Sequence, residues 1–180
     1  MDPATINSFQ RSGCQLREVS LHPNMEIFET YCTPAADPKL TVSGANPEDI
    51  PEIIRITGGA SSIARYFRRP QVSGTSAARR YENWVSSSFL TPCHRVLKAT
   101  NDDNEIVAFF IIRVDSGVVT WLLTAISDKF KSVGLTQLWG LMIYESSRLG
   151  ASVIKTRIFG DNVKAVGPYP KLCFRFAEPS

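Results

Sequence analysis

Residues 106–126 read IVAFFIIRVDSGVVTWLLTAI, two long apolar runs on either side of the turn Asp115-Ser116-Gly117. Apolar runs of this length, with almost no alternating polar residues, are typical of strands that are covered on both faces. A tight turn between two such runs favours an antiparallel pair. Residues 94–100 alternate as a strand and are followed by the turn cluster 101–104, which adds a third member. The sequence therefore predicts an antiparallel meander of three strands.

The hydrophobic period changes after this meander. Apolar side chains recur at the three- and four-residue spacing of an amphipathic helix from Leu135 to Leu149, and Gly150 follows where a left-handed helix end belongs. Residues 152–159 then alternate again as a strand. A strand, a long helix and a second strand joined by short links form a right-handed crossover, which makes the two strands parallel. The predicted fold is α/β, with a mixed sheet that is antiparallel first and ends in a parallel β-α-β unit.

The part of the chain before the meander is less regular. A strand is predicted over residues 40–44, and Asn46-Pro47 opens a helix that Gly58-Gly59 ends. A second helix is predicted over residues 76–89. The first residues are interrupted by prolines and allow one short strand between residues 16 and 28. We therefore divide the chain into an N-terminal extension, residues 1–39, and one domain, residues 40–180.

The composition excludes several classes of protein. The chain has 180 residues, of which 43% are hydrophobic and 21% charged, with a formal net charge of +3, which is typical of a globular domain with a core. So small a surplus of positive charge does not predict a nucleic-acid partner. No run of residues is long and apolar enough for a membrane span, and no signal-peptide pattern opens the chain, so we expect a cytoplasmic protein. The four cysteines are scattered with only two histidines, and no metal site is predicted.

A basic loop, residues 127–134, links the last strand of the meander to the long helix. It contains Lys129 and Lys131 and ends at Gly134, directly before the first turn of the helix. The first turn of a helix presents unpaired N–H groups and the positive end of the helix dipole. The loop is therefore a candidate anion-binding site, although a glycine near a helix start is by itself a weak signal.

The tail of the chain adds a second pattern. Residues 162–174 read NVKAVGPYPKLCF, and together with Lys131-x-x-Gly134-x-Thr136 they resemble the two motifs of the GNAT superfamily of acyl-CoA-dependent N-acetyltransferases. The family's loop reads Arg/Gln-x-x-Gly-x-Gly/Ala, and its tail reads Asn-x-x-Ala-x-x-x-Tyr-x-Lys-Leu-Gly-Phe. The strand order predicted above is also the order of that family, and the resemblance covers residues 40–180.

The resemblance implies a co-substrate and a set of site residues. Acetyl-CoA would bind where two parallel strands splay apart, and no metal is implied. Backbone groups of Ile126 would pair with the pantetheine arm, and Asn162 would also contact the CoA arm. Tyr169 matches the family tyrosine that gives a proton to the leaving thiolate. The resemblance places the pyrophosphate on backbone amides of the loop and the first helical turn, beside one lysine; these residues are Lys131, Val133, Gly134, Leu135 and Thr136.

The acceptor follows from a less specific part of the resemblance. Within the superfamily, the segments around residues 49–51, 62–70 and 81–85 look most like the dTDP-amino-sugar N-acetyltransferases. This implies a primary amine on a nucleotide-linked sugar, attacked directly in a ternary complex, with the arginines between residues 65 and 80 as candidates for its diphosphate. The alternatives are another acceptor (an amino acid, a polyamine, an antibiotic or a protein) and an inactive CoA-binding module. Asp115, His94 and Glu82 are the candidate general bases.

Two departures from the family pattern carry expectations of their own. Pro168 and Pro170 flank Tyr169, so the helix that carries the tyrosine is expected to end early or bend. The chain also stops soon after Phe176, where the family adds one more strand. The sheet is therefore expected to lack its last strand, which a second protomer could supply in a homodimer.

Overall fold

A computed structural model describes residues 3–12, 19–27, 39–60, 73–130, 134–160 and 162–176. Six helices lie in these ranges: α1 (Pro3–Arg11), α2 (Ile50–Ala60), α3 (Gly74–Ser88), α4 (Leu135–Arg148), α5 (Val163–Val166) and α6 (Pro168–Lys171). Nine strands accompany them: β1 (Ser20–Leu21), β2 (Pro23–Glu26), β3 (Thr41–Gly44), β4 (His94–Thr100), β5 (Ile106–Asp115), β6 (Val118–Ile126), β7 (Val153–Thr156), β8 (Ile158–Phe159) and β9 (Arg175–Phe176).

Seven of these strands form one mixed sheet in the order β3-β4-β5-β6-β7-β2-β9. Strands β3 to β6 are antiparallel neighbours, and β6 and β7 are parallel on either side of the α4 crossover. The predicted fold class is thereby confirmed. The β5–β6 turn is tight because Ser116 (φ 45°) and Gly117 (φ 79°) are both left-handed, and Gly150 (φ 81°) ends α4 in the same conformation, as expected.

The sheet separates two apolar clusters. One lies under α4, α5 and α6 and includes Phe110, Trp121 and Met142. The other lies under α2 and α3, against β4, β5 and β6, and includes Ile53, Val85 and Phe109. Because β5 is central, its side chains are buried on both faces from Ile106 to Ile112, which explains why its sequence shows no polar alternation.

The N-terminal segment contributes directly to this sheet. Strand β2 lies between β7 and β9 and is antiparallel to both, with Asn24 opposite Lys155 on one side and Arg175 on the other. Residues within the predicted extension 1–39 therefore occupy a place in the sheet. The chain's own strand β2 fills the position between β7 and β9. A strand from a second protomer is therefore not required at that position.

The described residues contain two further strands, β1 and β8, which pair only with each other in a separate two-stranded sheet. The single strand predicted over residues 152–159 is thus divided into β7 and β8. Its first half stays in the main sheet, and its second half turns away to meet β1. In these same ranges no helix has the length and hydropathy needed to cross a membrane.

A partly buried ion pair fastens α2 to the sheet. Lys98 of β4 donates to both carboxylate oxygens of Asp49, at 2.9 and 2.8 Å, and the N–H of Asn46 donates to the same carboxylate at 2.7 Å. Burial alone would raise the pKa of Asp49, but the hydrogen bonds from Lys98 and Asn46 outweigh it and lower the pKa below the usual value.

We expect Asp49→Asn to lower the free energy of unfolding at pH 7 by about 1–2 kcal/mol, because it leaves the Lys98 ammonium without its anion. A carboxylate whose pKa is lowered in the folded state stabilises the protein at pH values above its unfolded-state pKa. This stabilisation is lost as the pH falls through the folded-state pKa. The difference between variant and parent in urea unfolding should therefore shrink below about pH 4. Glu52→Gln, in the more exposed Glu52–Arg55 pair, is the control and should cost about 0.5 kcal/mol or less. An equal loss in both variants would contradict this account.

Candidate active site

Strands β6 and β7 run side by side for four residues and then part. Their parallel register extends from Val118 opposite Val153 to Trp121 opposite Thr156. Beyond that point β7 has ended, whereas β6 continues to Ile126. We call the opening between Leu122–Ile126 of β6 and the chain after Thr156 the β6–β7 cleft. This splay between two parallel strands is the kind of site at which the family resemblance places acetyl-CoA.

A β-bulge marks the start of the β6–β7 cleft. Ile112 is opposite Trp121 and Ile111 is opposite Leu123, so Leu122 is an extra residue in β6. A bulge increases the local twist and bends the strand that carries it. Since the bulge directly follows the last residue paired with β7, it turns the remainder of β6 away from that strand.

The backbone of β6 beyond the bulge has one set of groups that face the cleft. The N–H of Ser127 donates to the carbonyl of Val107 at 2.8 Å, and Ala125 is opposite Phe109. In an antiparallel pair, residues that bond the partner strand alternate with residues whose N–H and C=O point away from it. The groups of Thr124 and Ile126 therefore point away from β5, toward the cleft. This is the orientation that the predicted role of Ile126 requires.

The first turn of α4 is the second component of the site. Gly134 is the N-cap, with φ −63° and ψ 122°, and no side chain caps it. The first hydrogen bonds within the helix are donated by the N–H groups of Gln137 and Leu138 to the Gly134 carbonyl. The N–H groups of Leu135 and Thr136 precede these donors in the first turn and point out of the helix end. Apart from its chain neighbours and the helix backbone, no described atom lies within 4 Å of the position that a Gly134 Cβ would occupy. The backbone angles are ordinary and the space is open, so the fold itself does not require glycine here, and the residue leaves the amides uncovered by a side chain.

The structure describes part of the predicted anion loop. Gly134 and Thr136 are exposed at the start of α4, and the backbone of Leu135 belongs to the helix. Lys131, Val133 and the side chain of Leu135 lie outside the described residues. Their assignment to the pyrophosphate stays a prediction from the resemblance.

Tyr169 lies on α6, which is separated from α5 at Gly167. The expected effect of the flanking prolines is therefore observed, as a break between two four-residue helices. Pro168 and Pro170 both fall in the first turn of α6, where a missing N–H breaks no hydrogen bond within the helix. The break allows the chain to fold back on itself, with the N–H of Phe174 bonded to the carbonyl of Tyr169 at 3.0 Å.

The phenol of Tyr169 is buried among aromatic rings near the base of the β6–β7 cleft. Its ring centroid lies 6.3 Å from that of Trp139 and 4.9 Å from that of Phe174, both edge to face. Burial raises the pKa of the phenol above its usual value, while the nearby polar groups of Trp139 and Thr156 act in the opposite direction. The Phe174 ring also lies 5.5 Å from that of Trp121, the last β6 residue paired with β7, so Tyr169 lies near the point where the strands part. The phenol keeps its proton at neutral pH, as a proton donor must.

Two residues at the base of the cleft were not identified as site residues from the sequence. The hydroxyl of Thr156 donates to the carbonyl of Trp121 at 3.1 Å, which ties the two strands together at their last paired position. The indole N–H of Trp139 is buried and has no acceptor at hydrogen-bond distance among the described residues. Trp139 is part of the apolar cluster under α4. It also contacts Tyr169, a relation that no spacing along the chain reveals.

Asn162 is the N-cap of α5. Its side-chain oxygen accepts from the N–H of Ala165 at 3.3 Å, which helps to start the helix that leads to Tyr169. This capping role explains the residue type on structural grounds alone. The predicted contact between Asn162 and the CoA arm is compatible with it through the side-chain NH₂ group, and stays a prediction.

The three candidate bases lie outside the β6–β7 cleft. His94 is two strands from β6, and burial together with the nearby Arg113 lowers its pKa. Asp115 is in the β5–β6 turn, opposite the first residue of β6. Glu82 is exposed on α3, beside a shallow cleft between α2 and α3. None of the three lies beside the splay. Among the described residues, no three His, Cys, Asp or Glu side chains lie together as a metal site would need.

Comparison with known proteins shows a likeness of fold. The sequence matches no protein-family model and has no significant similarity to a curated protein. Solved structures do match. A GCN5-related N-acetyltransferase from Sphaerobacter thermophilus superposes with a TM-score of 0.66 at 14% identity, over 98% of this chain and 54% of the other. The chain thus spans about half the length of that protein.

Two further solved structures match over most of their length. The ribosomal-protein-S18-alanine N-acetyltransferase of Escherichia coli matches with a TM-score of 0.57 and 20% identity, over 77% of this chain and 79% of that one. Spermidine N-acetyltransferase from Vibrio cholerae, in complex with CoA and spermine, matches with a TM-score of 0.58 and 14% identity, over 79% and 84%. The chain therefore has the fold of the GCN5-related N-acetyltransferases, and the acceptors named for these relatives differ.

Proposed function

We propose that this protein transfers the acetyl group of acetyl-CoA to a primary amine. The observation that carries the proposal is the β6–β7 cleft, which has outward-facing backbone groups of Thr124 and Ile126 along one side and Tyr169 beside its base. The open N-terminus of α4 follows β6 through a short link. These are the three components that a thioester on a long, anionic carrier requires: a strand edge for the arm, amides for the phosphates and a proton donor.

The reaction needs few groups from the protein. The neutral amine attacks the thioester carbonyl carbon, the C–N bond forms, and the C–S bond then breaks. Tyr169 gives its proton to the departing thiolate, the amine loses a proton to water, and the phenolate regains a proton from water. The N–H groups on the open edge of β6 would hold the arm as an added strand. Those at the start of α4 would bind the pyrophosphate. We assign no side chain as the base.

We propose a nucleotide-linked amino sugar as the acceptor. The support is the resemblance of residues 49–51, 62–70 and 81–85 to the dTDP-amino-sugar enzymes, together with arginines that suit a diphosphate. Of the arginines considered from the sequence, Arg79 and Arg80 are exposed on α3, and those between residues 65 and 69 lie outside the described residues.

The experiment is a thiol-release assay with purified protein and acetyl-CoA, against a panel of acceptors. The panel contains a nucleoside-diphosphate amino sugar, an uncharged amino sugar, spermidine, an amino acid and an N-terminal peptide. Turnover with the first supports the whole proposal. Turnover only with another amine would support the proposal of acetyl transfer and would contradict the proposal that the acceptor is a sugar nucleotide. Binding of CoA in calorimetry without turnover on any amine would identify an inactive CoA-binding module.

The open edge of β6 can be tested by removing one N–H. In Ile126→Pro the lost N–H faces the cleft, so the bonds to β5 are retained. We expect the Kd for CoA to rise at least about tenfold, because one bond to the arm is lost and the proline ring fills part of the cleft. The melting temperature should fall by a few degrees at most. Isothermal calorimetry and thermal unfolding measure the two quantities.

Ile126→Ala is the matched control, since it removes the side chain and keeps the N–H. Its Kd for CoA should stay within about threefold of the parent, as for a single half-buried contact. An equal loss in both variants would show that the side chain, and not the backbone edge, makes the contact.

A further inference from the structure

A row of polar residues crosses the main sheet on the face opposite α4. The registers place them directly opposite one another on successive strands. Directly opposite residues point to the same face of a sheet. In order across β4, β5, β6, β7, β2 and β9 they are His94, Arg113, Thr120, Lys155, Asn24 and Arg175.

The chain neighbours of this row show which face it occupies. Ile112, Val119, Ile154, Met25 and Phe174 all belong to the apolar cluster under α4. Since side chains alternate along a strand, the row must point the other way. On that side, the cluster under α2 and α3 covers β4, β5 and β6 and includes no described residue of β7, β2 or β9. On the outer part of this face, Lys155 and Arg175 are exposed.

The row is rich in positive charge. Arg113, Lys155 and Arg175 are exposed, and the half-buried Thr120 and Asn24 stand between them as hydrogen-bonding groups. At the ordinary spacing of neighbouring strands, Arg113 and Arg175 are about 19 Å apart with Lys155 midway. Their side chains are long and flexible enough to reach a ligand that lies between the strands. We call Arg113, Lys155 and Arg175 the basic row.

Charged side chains also flank the basic row along the strands. Two carboxylates, Asp115 and Glu26, lie two residues further along β5 and β2, on the side away from the splay. On the side toward the splay are the exposed imidazole of His22 and the guanidinium of Arg157, which donates to the Ser20 hydroxyl at 3.0 Å. Asp115 and Glu26 would therefore repel an anion from the end of the basic row that is away from the cleft.

The basic row also lies close to the reacting position. Lys155 directly precedes Thr156, the last β7 residue paired with β6, and points to the opposite face. Thr156 faces the cluster that contains Tyr169. An acceptor held on the basic row would thus reach the thioester from one side of the sheet while Tyr169 serves the thiolate from the other.

From this geometry we propose that the basic row receives the phosphate groups of an anionic amine acceptor and directs its amine into the β6–β7 cleft. The inference rests on the proposed acetyl transfer, and it places the acceptor's phosphates on the sheet rather than on the arginines of α3. Arginine and lysine both suit phosphate, through paired hydrogen bonds and as a point charge respectively. A flat, exposed site of this kind gives an affinity that falls with salt.

The first test measures binding without CoA. Thymidine diphosphate is titrated by calorimetry into the parent, into Lys155→Ala/Arg113→Ala, and into Arg148→Ala, at low and high salt. Arg148 is an exposed cation on α4, at the other face, paired with Glu145. We expect the Kd of the double variant to rise about tenfold at low salt and that of Arg148→Ala to stay within twofold. An unchanged Kd in the double variant, or no binding to the parent, would overturn the proposal.

The second test separates this inference from the proposed function. The double variant should lose about tenfold in kcat/KM for a nucleoside-diphosphate amino sugar and keep its kcat/KM for an uncharged amino sugar and its Kd for CoA. An equal loss of kcat/KM for both amines would contradict the proposal that the basic row binds the acceptor's phosphates. So would tighter binding of an acidic peptide than of the nucleotide. If no amine is acetylated, the proposed function fails, and the nucleotide titration still decides the inference.

Discussion

Tyr169→Phe should lower kcat for acetyl transfer by about 100-fold, the usual effect of removing a positioned proton donor. The ring packs edge to face with Trp139 and Phe174, and phenylalanine preserves these contacts. The loss should therefore appear in kcat, with the Kd for CoA within twofold of the parent and the fold intact. Thiol release under saturating acetyl-CoA measures the first quantity and calorimetry the second.

Tyr144→Phe is the matched control, because Tyr144 is a partly buried tyrosine on α4 that the mechanism does not use. Its kcat should equal that of the parent.

The raised pKa of Tyr169 predicts how the parent's kcat depends on pH. Since an acid fails only above its pKa, and this one exceeds the usual value of about 10, the parent's kcat should not decline between pH 7 and 9 through loss of this proton. A parental rate in Tyr169→Phe would remove the tyrosine from the mechanism.

Gly134→Asp should weaken CoA binding by about 100-fold without weakening the fold. A carboxylate about 5 Å from a pyrophosphate charge costs roughly 3 kcal/mol at an effective dielectric constant of 20. Yet aspartate is a favoured N-cap, its charge complements the helix dipole, and no atom crowds the Cβ position. Calorimetry with CoA should show the loss, while the melting temperature stays level or rises.

Gly134→Ser separates charge from volume in this experiment. Serine also caps a helix and has nearly the size of aspartate without its charge. Its Kd for CoA should rise by only a few-fold. If serine and aspartate weaken CoA equally, the cause is lost space in front of the amides. If neither weakens it, the N-terminus of α4 does not bind the phosphates.

The central part of the fold could be predicted because several independent features of its sequence indicate the same structure. Strands β5 and β6 are apolar almost throughout, and Asp115-Ser116-Gly117 between them can hardly form anything but a turn. Helix α4 combines a clear period with a glycine at its end. The division of residues 152–159 was not predicted, because an alternating strand looks the same whether it stays in one sheet or passes to another.

Only those parts of the candidate site that depend on local sequence could be predicted. Gly134 and Tyr169 follow from spacing within a motif, and Pro168 indicates a break in the helix that carries the tyrosine. The direction of the Ile126 backbone depends on the register with β5 and on the bulge at Leu122, which no local pattern encodes. The basic row is harder still, since its members come from distant parts of the chain and each looks like an ordinary surface cation.

Strand β2 has a consequence for how the molecule is made. Its partners on β7 and β9 are synthesised about 130 residues or more after it. Strand β2 must therefore remain unpaired until nearly the whole of the described chain has left the ribosome. Closing so long a loop is slow. Strand β7, which borders the β6–β7 cleft, and α6, which carries Tyr169, both follow the meander along the chain, so a nascent chain contains its meander before it contains the proposed binding site.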